Sequence, residues 1–229
     1  MIPLKDDNPA ERLPLVTIAL VALNVAAYWW QVTGVGLEAS VFRGGTIPFE
    51  ILTFQDIDER DLVAPPLTIL TGMFLHGSVA HIGANMLTLW IFGNNVEDAL
   101  GRVRYAVFYL LAGIAAALSQ VVASGLSGDR AAIETPMVGA SGAIAGVLAA
   151  YLLLFPRHRI LTFIVPIWFV RIPAGLFIAF WFGGQVLNAI LGSAPGVAVF
   201  AHIGGFVAGW LLLRWIGRRR TWRARRVSW

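Results

Sequence analysis

Long apolar stretches constrain this sequence more than any other feature. Six stretches are long enough to cross about 30 Å of hydrocarbon, and they lie near 14–35, 70–95, 104–125, 138–155, 173–192 and 197–216. Within lipid, a backbone must satisfy its own hydrogen bonds, which favours helices. The sequence therefore predicts an all-α, polytopic membrane protein built as a bundle of six transmembrane helices.

The composition also excludes a water-soluble domain. Hydrophobic residues make up 58% of the chain and charged residues 13%, whereas soluble domains carry roughly a quarter charged residues. One further apolar segment, 160–170, is short, contains Pro166 and is flanked by Arg159 and Arg171. We expect it to form a loop at the membrane interface rather than a seventh span.

The positive charges indicate the orientation in the membrane. Of the 17 Lys and Arg residues, only Arg43, Arg60 and Arg130 lie on one side of the predicted bundle. The first loop on that side, 36–66, is acidic, and its apolar and proline residues suggest partial folding, with a disordered loop as the alternative. The positive-inside rule then places both termini in the cytoplasm.

We divide the chain into a cytoplasmic N-terminal segment (1–13), a six-helix domain (14–217) and a basic cytoplasmic tail (218–229). The tail contains six arginines and no acid. We expect it to bind anionic lipid rather than nucleic acid. The chain has no cysteine, which excludes disulfides and thiol chemistry. Together with short loops and the lack of a transit peptide, this suggests a bacterial plasma membrane.

Four polar residues are predicted to meet near the outer face. Spans two, four and six run from outside to inside in this orientation. Ser141 lies a few residues into the fourth span, His202 about five into the sixth, and His81 and Asn85 some ten to fifteen into the second. All four fall within roughly 5–20 Å of the outer edge. Because polar groups are costly against lipid, we expect them to share one water-accessible pocket.

Small residues indicate where the helices approach one another. Gly142 and Gly146 follow the serine, Gly205 and Gly209 follow the histidine, and Gly139 precedes the serine. Such spacings permit close contact between helix backbones. Each feature alone has an ordinary structural interpretation. Such glycine pairs are common in membrane helices, and a serine there often donates a hydrogen bond to a carbonyl of its own helix. Their coincidence predicts a shared site.

The residue types and motifs that the sequence lacks limit the reactions that it could catalyse. No acid follows Glu134 and none lies in the middle of a span, which argues against a di-aspartyl protease or a carboxylate-driven pump. No histidine has the H-E-x-x-H pattern of a zinc protease, and Lys5 is the only lysine. The remaining base for Ser141 is His202, acting as a dyad without a carboxylate. A metal site of histidines alone stays an alternative, but we predict no metal and no cofactor.

The motifs together resemble those of the rhomboid proteases over all six spans. The matching segments are Gly139-Ala140-Ser141-Gly142, Ala201-His202-Ile203-Gly204-Gly205, the set His76, His81 and Asn85, and the set Gly93, Glu97 and Gly101. The resemblance implies a serine endopeptidase that cleaves transmembrane segments of single-span or polytopic membrane proteins. Its expected partners are these substrates and membrane lipid, without nucleic acid, and the oligomeric state is left open.

The hypothesis assigns Ser141 as nucleophile, His202 as base, and Asn85, His81 and the backbone N–H of Ser141 as donors to the oxyanion. His76 is five residues before His81, about 140° around the helix and nearer the surface, so we expect it to be structural or peripheral. The alternatives are a non-catalytic rhomboid-like protein that binds client helices and a small-molecule transporter.

Two positions depart from the family pattern. Leu67 and Thr68 stand where many members carry Trp-Arg, which concerns the packing of the first loop more than the chemistry. Ala145 and Gly146 stand where members often place an aromatic ring under the histidine. We therefore expect another residue to hold His202.

Overall fold

The computed structural model describes residues 1–57, 63–164, 168–192 and 196–217. The tail predicted at 218–229 lies outside the described residues. In chain order the elements are β1 (Ile2–Asp6), α1 (Leu15–Trp30), α2 (Leu37–Gly44), α3 (Pro48–Thr53), α4 (Pro65–Thr71), α5 (Val79–Leu100), α6 (Arg102–Ser127), α7 (Arg130–Glu134), α8 (Ser141–Leu154), β2 (Arg159–Ile164), β3 (Trp168–Pro173), α9 (Ala174–Leu191) and α10 (Val199–Ile216).

The predicted helical membrane bundle is confirmed. Helix α1 continues as a π-helical turn, Gln31–Val35. The combined segment, together with α6, α9 and α10, is long and apolar enough to cross a membrane. Helix α8 is a shorter apolar helix of 14 residues. Helix α5 has 22 residues, or about 33 Å, and carries the polar residues of the second predicted span.

The second span begins later than predicted. Residues near 70 belong to the short helix α4, and α5 starts only at Val79. Ser78 caps this start, since its side-chain oxygen accepts a 3.1 Å hydrogen bond from the His81 backbone N–H. Gly101, with φ 84°, separates α5 from α6. Apolar composition alone could not reveal the break before α5, because Met73, Phe74 and Leu75 in the chain between α4 and α5 are also apolar.

The first outer loop is partly folded, as predicted. It contains the short helices α2 and α3. Glu50 in α3 is almost fully buried, and its carboxylate accepts a 3.0 Å hydrogen bond from the Ile57 backbone N–H. Helix α3 packs against α6, which attaches the described part of the loop to the bundle.

The segment 160–170 is not a seventh span in the described residues, as expected, but its described part forms strands instead of a loop. This segment contributes to two antiparallel strands, β2 and β3, and β1 adds to the free edge of β2. Ile2 lies opposite Phe163, and Arg159 lies opposite Pro173. Residues 165–167, which include Pro166, lie outside the described residues. The regular elements of the described residues are therefore helices, one three-stranded sheet and an isolated bridge between Thr46 and Met137.

Helix α8 forms the centre of the bundle. Ten consecutive residues, from Gly142 to Tyr151, are buried, so this helix is covered on all its faces. It packs against α5, α6, α9 and α10. A helix that is apolar all round belongs in such an interior position. The position of α8 is thus fixed by four neighbouring helices.

Candidate active site

Ser141 is the first residue of α8 rather than a residue further inside the span. Backbone N–H groups in the first turn of a helix have no acceptor within the helix. The preceding chain is extended: Met137 and Thr46 exchange two backbone hydrogen bonds of 2.9 and 3.0 Å, and the Gly139 N–H donates to the Gly72 carbonyl at 2.8 Å. The position of Ser141 is therefore fixed by contacts on both sides of it.

His202, the fourth residue of α10, faces Ser141 at the start of the neighbouring helix α8. Its Nε2 atom lies 2.8 Å from the Ser141 Oγ atom. This distance is within the range expected for a nucleophile and its base. The structure thus brings together the two side chains that the sequence singled out for this chemistry.

Glycines allow α8 and α10 to approach closely. A Cβ atom on Gly205 would overlap the backbone of Gly142, and one on Gly209 would overlap the backbone of Gly146. Gly139 differs from the expectation, because it lies in the extended chain before α8 rather than in a helix contact. Its φ of 123° is one that residues with a side chain rarely adopt.

Gln120 of α6 holds the start of α10. Its Oε1 atom accepts hydrogen bonds from the backbone N–H groups of Phe200 and Ala201, at 3.1 and 3.2 Å. Helix α10 has no side-chain cap from the residue at its own N-cap position, Ala198. A cap supplied by α6 therefore sets the position of α10, and of His202 with it.

Helix α9 supplies the contacts that hold the His202 ring. The Gln185 Oε1 atom lies 2.7 Å from His202 Nδ1. The Trp181 ring lies with its centroid 5.8 Å from that of His202, at an interplanar angle of 43°. Sequence reasoning expected such a residue but did not find it. The available signal was the pairing of an amide and an aromatic residue four positions apart, hence on one helix face.

Asn85 and His81 lie beside the start of α8. Because α5 starts at Val79, His81 is its third residue and Asn85 its seventh. Both are thus closer to the helix end than the ten to fifteen residues expected. A Cβ atom on Gly139 would lie 2.7 Å from His81 Nε2 and 3.6 Å from Asn85 Nδ2. Asn85 is 6% exposed, and its Nδ2 atom has no hydrogen-bond partner among the described residues.

His76 is fully buried and precedes α5, which starts at Val79, so the helical spacing expected between His76 and His81 is wrong. Its ring packs edge-on against that of His81, with centroids 5.0 Å apart. Gln31, in the π-helical turn after α1, fixes the backbone here: its Oε1 accepts from the His76 N–H at 2.9 Å, and its Nε2 donates to the His76 carbonyl at 3.2 Å. The His76 ring therefore helps to hold the His81 ring in place.

A small cavity of about 40 Å³ adjoins the serine. Its lining includes Ser141, Gly142, Met73, Ala116 and Ala201. A volume of this size can hold a water molecule. The serine is thus next to a space that water can occupy.

Comparison with known proteins identifies the family. The model of the rhomboid domain matches residues 65–219. This chain belongs to the rhomboid family. The matched region includes Ser141, His202, His81, Asn85 and Gln185.

Individual rhomboids from several organisms are similar over most of the chain. Rhomboid protein 1, mitochondrial, of Saccharomyces cerevisiae is 30% identical over 201 residues, which cover 82% of this chain and 54% of the yeast protein. Rhomboid protease GluP of Bacillus subtilis is 31% identical over 208 residues, which cover 89% of this chain and 35% of GluP. Rhomboid protease AarA of Providencia stuartii is 32% identical over 142 residues, which cover 59% of this chain and 49% of AarA. The chain thus spans about half or less of the length of these relatives.

Proposed function

We propose that this rhomboid is a serine endopeptidase that hydrolyses peptide bonds in or near transmembrane segments of other membrane proteins. The observation that carries the proposal is the 2.8 Å contact between Ser141 Oγ and His202 Nε2. The relatives GluP and AarA are named rhomboid proteases, which supports the same activity here.

In the first half of the reaction, the Ser141 Oγ atom bonds to the scissile carbonyl carbon while its proton passes to His202 Nε2. The carbonyl oxygen becomes an oxyanion. When this intermediate collapses, the C–N bond breaks and the leaving amine takes the proton from Nε2. The other part of the substrate stays bound to Ser141 as an ester.

The oxyanion needs donors that are in place before the reaction. Three groups meet this requirement in the proposal: the Asn85 side-chain amide, the His81 Nε2 atom carrying its hydrogen, and the backbone N–H of Ser141. The unpartnered Nδ2 atom of Asn85 supports its assignment, because a buried amide without an acceptor is costly unless a ligand supplies one.

Water completes the reaction. Its proton passes to His202 Nε2 as its oxygen attacks the ester, and collapse returns that proton to Ser141 Oγ and releases the carboxyl product. The cavity beside Ser141 supports such a route. The Ser141, His202, His81 and Asn85 positions all lie in the first seven residues of their helices, within about 10 Å of the helix ends, where water can enter more easily than at mid-depth.

The substrate must present an extended strand, because the carbonyl groups of a helix are occupied by its own hydrogen bonds. We therefore expect cleavage near the outer end of client spans that contain small or helix-breaking residues. By the positive-inside rule, both termini lie in the cytoplasm. From the lack of cysteine together with the short loops, we also propose that this membrane is a bacterial plasma membrane.

The test is proteolysis of a fluorescent model transmembrane segment by the purified chain in detergent and in lipid, with Ser141→Ala as the matched control. We expect cleavage that Ser141→Ala abolishes, and covalent labelling of Ser141 by a fluorophosphonate. Absence of both from a folded protein, under several lipid conditions, would favour the non-catalytic rhomboid-like alternative.

A further inference from the structure

We propose that Gln185 is the positioning residue for His202, selecting through its side-chain carbonyl the ring tautomer that can accept a proton from Ser141. The inference rests on the proposed function and adds to it the group that orients the base. In serine proteases with a triad, a carboxylate has this role. Here a neutral amide takes the corresponding place.

Both ring nitrogens of His202 are engaged, and this determines what Gln185 can do. Nε2 lies 2.8 Å from Ser141 Oγ and Nδ1 lies 2.7 Å from Gln185 Oε1. A neutral imidazole carries one hydrogen. Because a carbonyl oxygen only accepts, the hydrogen must be on Nδ1, and Nε2 is then the unprotonated nitrogen that faces the serine.

The opposite orientation of the amide would reverse this assignment. Its NH₂ group would donate to Nδ1, the ring hydrogen would move to Nε2, and Nε2 could no longer take a proton from Ser141. The contact therefore distinguishes a competent dyad from an incompetent one. A similar loss follows when a triad carboxylate is replaced by an amide and the wrong tautomer is held.

Among the described residues, the hydrogen-bond partners of the His202 ring are Gln185 and Ser141 and include no carboxylate. Glu134, the last acid in the sequence, is paired with Arg130. Trp181 contacts the ring of His202 but its indole has no acceptor atom. Gln185 is thus the side chain that supplies an acceptor to Nδ1 in the described structure.

The direct test is ¹⁵N NMR of histidine-labelled protein in the inactive Ser141→Ala background, with the His202 signal assigned by its loss in Ser141→Ala/His202→Asn. We expect the Nδ1–H tautomer, and its loss or averaging in Ser141→Ala/Gln185→Met. An Nε2–H tautomer, or an unchanged Nδ1–H tautomer in the Met variant, would overturn the proposal. Because this measurement needs no proteolysis, it is independent of whether the proposed function holds.

Kinetics give the second test, on the wild-type serine. We expect Gln185→Met to lower kcat and fluorophosphonate labelling by about 10-fold or more with KM nearly unchanged. Gln185→Glu, which keeps an acceptor, should retain labelling. Its pH–rate midpoint should move to higher pH, because a nearby carboxylate favours the charged imidazolium.

Gly183→Ala is the matched control on the same helix, since a Cβ atom there would contact nothing within 4 Å. It should leave kcat unchanged. If Gln185→Met kept the wild-type kcat and pH profile while Ser141→Ala abolished activity, the positioning role would be rejected and the proposed function would stand.

Discussion

At the scale of single residues, the proposed nucleophile can be tested without disturbing the fold. Ser141→Ala removes one oxygen at the start of a helix lined by small residues, so it adds no volume. We expect proteolysis and fluorophosphonate labelling to disappear, while the unfolding temperature changes by no more than a few degrees. Proteolysis assays and thermal unfolding in detergent measure both, and residual cleavage by this variant would exclude Ser141 as the nucleophile.

His202 should be as essential as the serine, because the two act as one unit. We expect His202→Ala to lose activity to the same extent as Ser141→Ala, and the double variant to be no less active than either single one. The comparison requires single-turnover rates of all three proteins. If the loss of activity in the double variant instead equalled the product of the two single losses, the residues would act independently. The assignment of Ser141 and His202 as a dyad would then be wrong.

The polar residues around α5 should differ in their effect on turnover. Removing one oxyanion donor costs about 10²–10³ in turnover. With a second side-chain donor and a backbone N–H left in place, we expect Asn85→Ala to lower kcat by roughly 10–100-fold with KM near normal. His81→Ala should be similar or worse. His76→Ala should be milder, because the His76 ring contacts His81 rather than Ser141.

The outcome that would contradict this assignment is a silent Asn85→Ala together with a strongly impaired His76→Ala. The oxyanion would then have to be bound by other groups. Fluorophosphonate labelling is a useful companion measurement, since Ser141 should still react, more slowly, in the Asn85 variant.

Residue patterns in the sequence were enough to nominate Ser141, His202, His81 and Asn85, because each lies in a motif with a definite spacing. They were not enough to nominate Gln185. Its role depends on how α9 is rotated and tilted against α10, and an apolar helix in lipid gives little indication of its rotation from sequence alone. The same holds for side chains such as Gln120 that cap a distant helix.

At the scale of helices, the close contact between α8 and α10 depends on glycines, which have no side chain. Gly205→Val would force its side chain into the backbone of Gly142, which cannot move like a flexible side chain. Overpacking of this kind costs about 1–3 kcal/mol or more. We expect a lower yield of folded protein, a lower unfolding temperature and loss of activity together.

Gly183→Val is the control for the Gly205 variant, because it makes the same chemical change in an open position of α9. It should fold and cleave nearly as the wild type does. Size-exclusion chromatography after heating measures both proteins, and a fully active, normally folded Gly205→Val would show that the helix contact tolerates a side chain.

The presence of the helices was easier to predict than the residues at which they begin and end. Six apolar stretches indicated six helices, but the starts of several are determined by partners far away in sequence. The Glu97 carboxylate, for example, accepts hydrogen bonds from the Val16 and Thr17 backbone N–H groups at 3.0 and 2.8 Å. This caps α1 from α5, with a negative charge at the positive end of the helix. Local sequence before α1 contains no comparable cap.

At the scale of the whole molecule, a polar cluster links the N-terminal strand to the far end of α8. One oxygen of the Asp6 carboxylate accepts hydrogen bonds from Tyr151 Oη at 2.7 Å and from Asn95 Nδ2 at 2.8 Å. Burial raises the pKa of Asp6 to about 6, although the hydrogen bond from Tyr151 opposes the increase. The cluster lies opposite the end of α8 that carries Ser141.

This raised pKa predicts how stability depends on pH. The folded state holds the Asp6 proton more tightly than the unfolded chain does, so its contribution to stability is complete below about pH 4 and is lost as the pH rises through about 6. Asp6→Asn keeps an oxygen acceptor without the charge. We expect it to raise the unfolding temperature at pH 7.5 more than at pH 5, as measured by thermal unfolding in detergent.

Asp56→Asn provides the matched control, because Asp56 is exposed. Its effect on the unfolding temperature should be small and should not differ between the two pH values. If Asp6→Asn behaved in the same way as Asp56→Asn, the carboxyl of Asp6 would not titrate differently in the folded protein.

The strand pairing of the three-stranded sheet could not be predicted from the sequence. The sequence predicted an interface loop at 160–170 and a separate cytoplasmic segment at 1–13. Their pairing, with Ile2 opposite Phe163, depends on the arrangement of all the helices between them, which no local pattern expresses.

That pairing also has a consequence for synthesis. The first strand leaves the ribosome long before its partner, which is made only after four of the six long helices. At about 5–20 residues per second, the N-terminal strand waits on the order of 10–30 s for β2. Until then it has neither its backbone partner nor Tyr151 for its carboxylate. A ribosome-bound chain stopped before β2 would therefore expose its first residues to an added protease, whereas the finished protein would protect them.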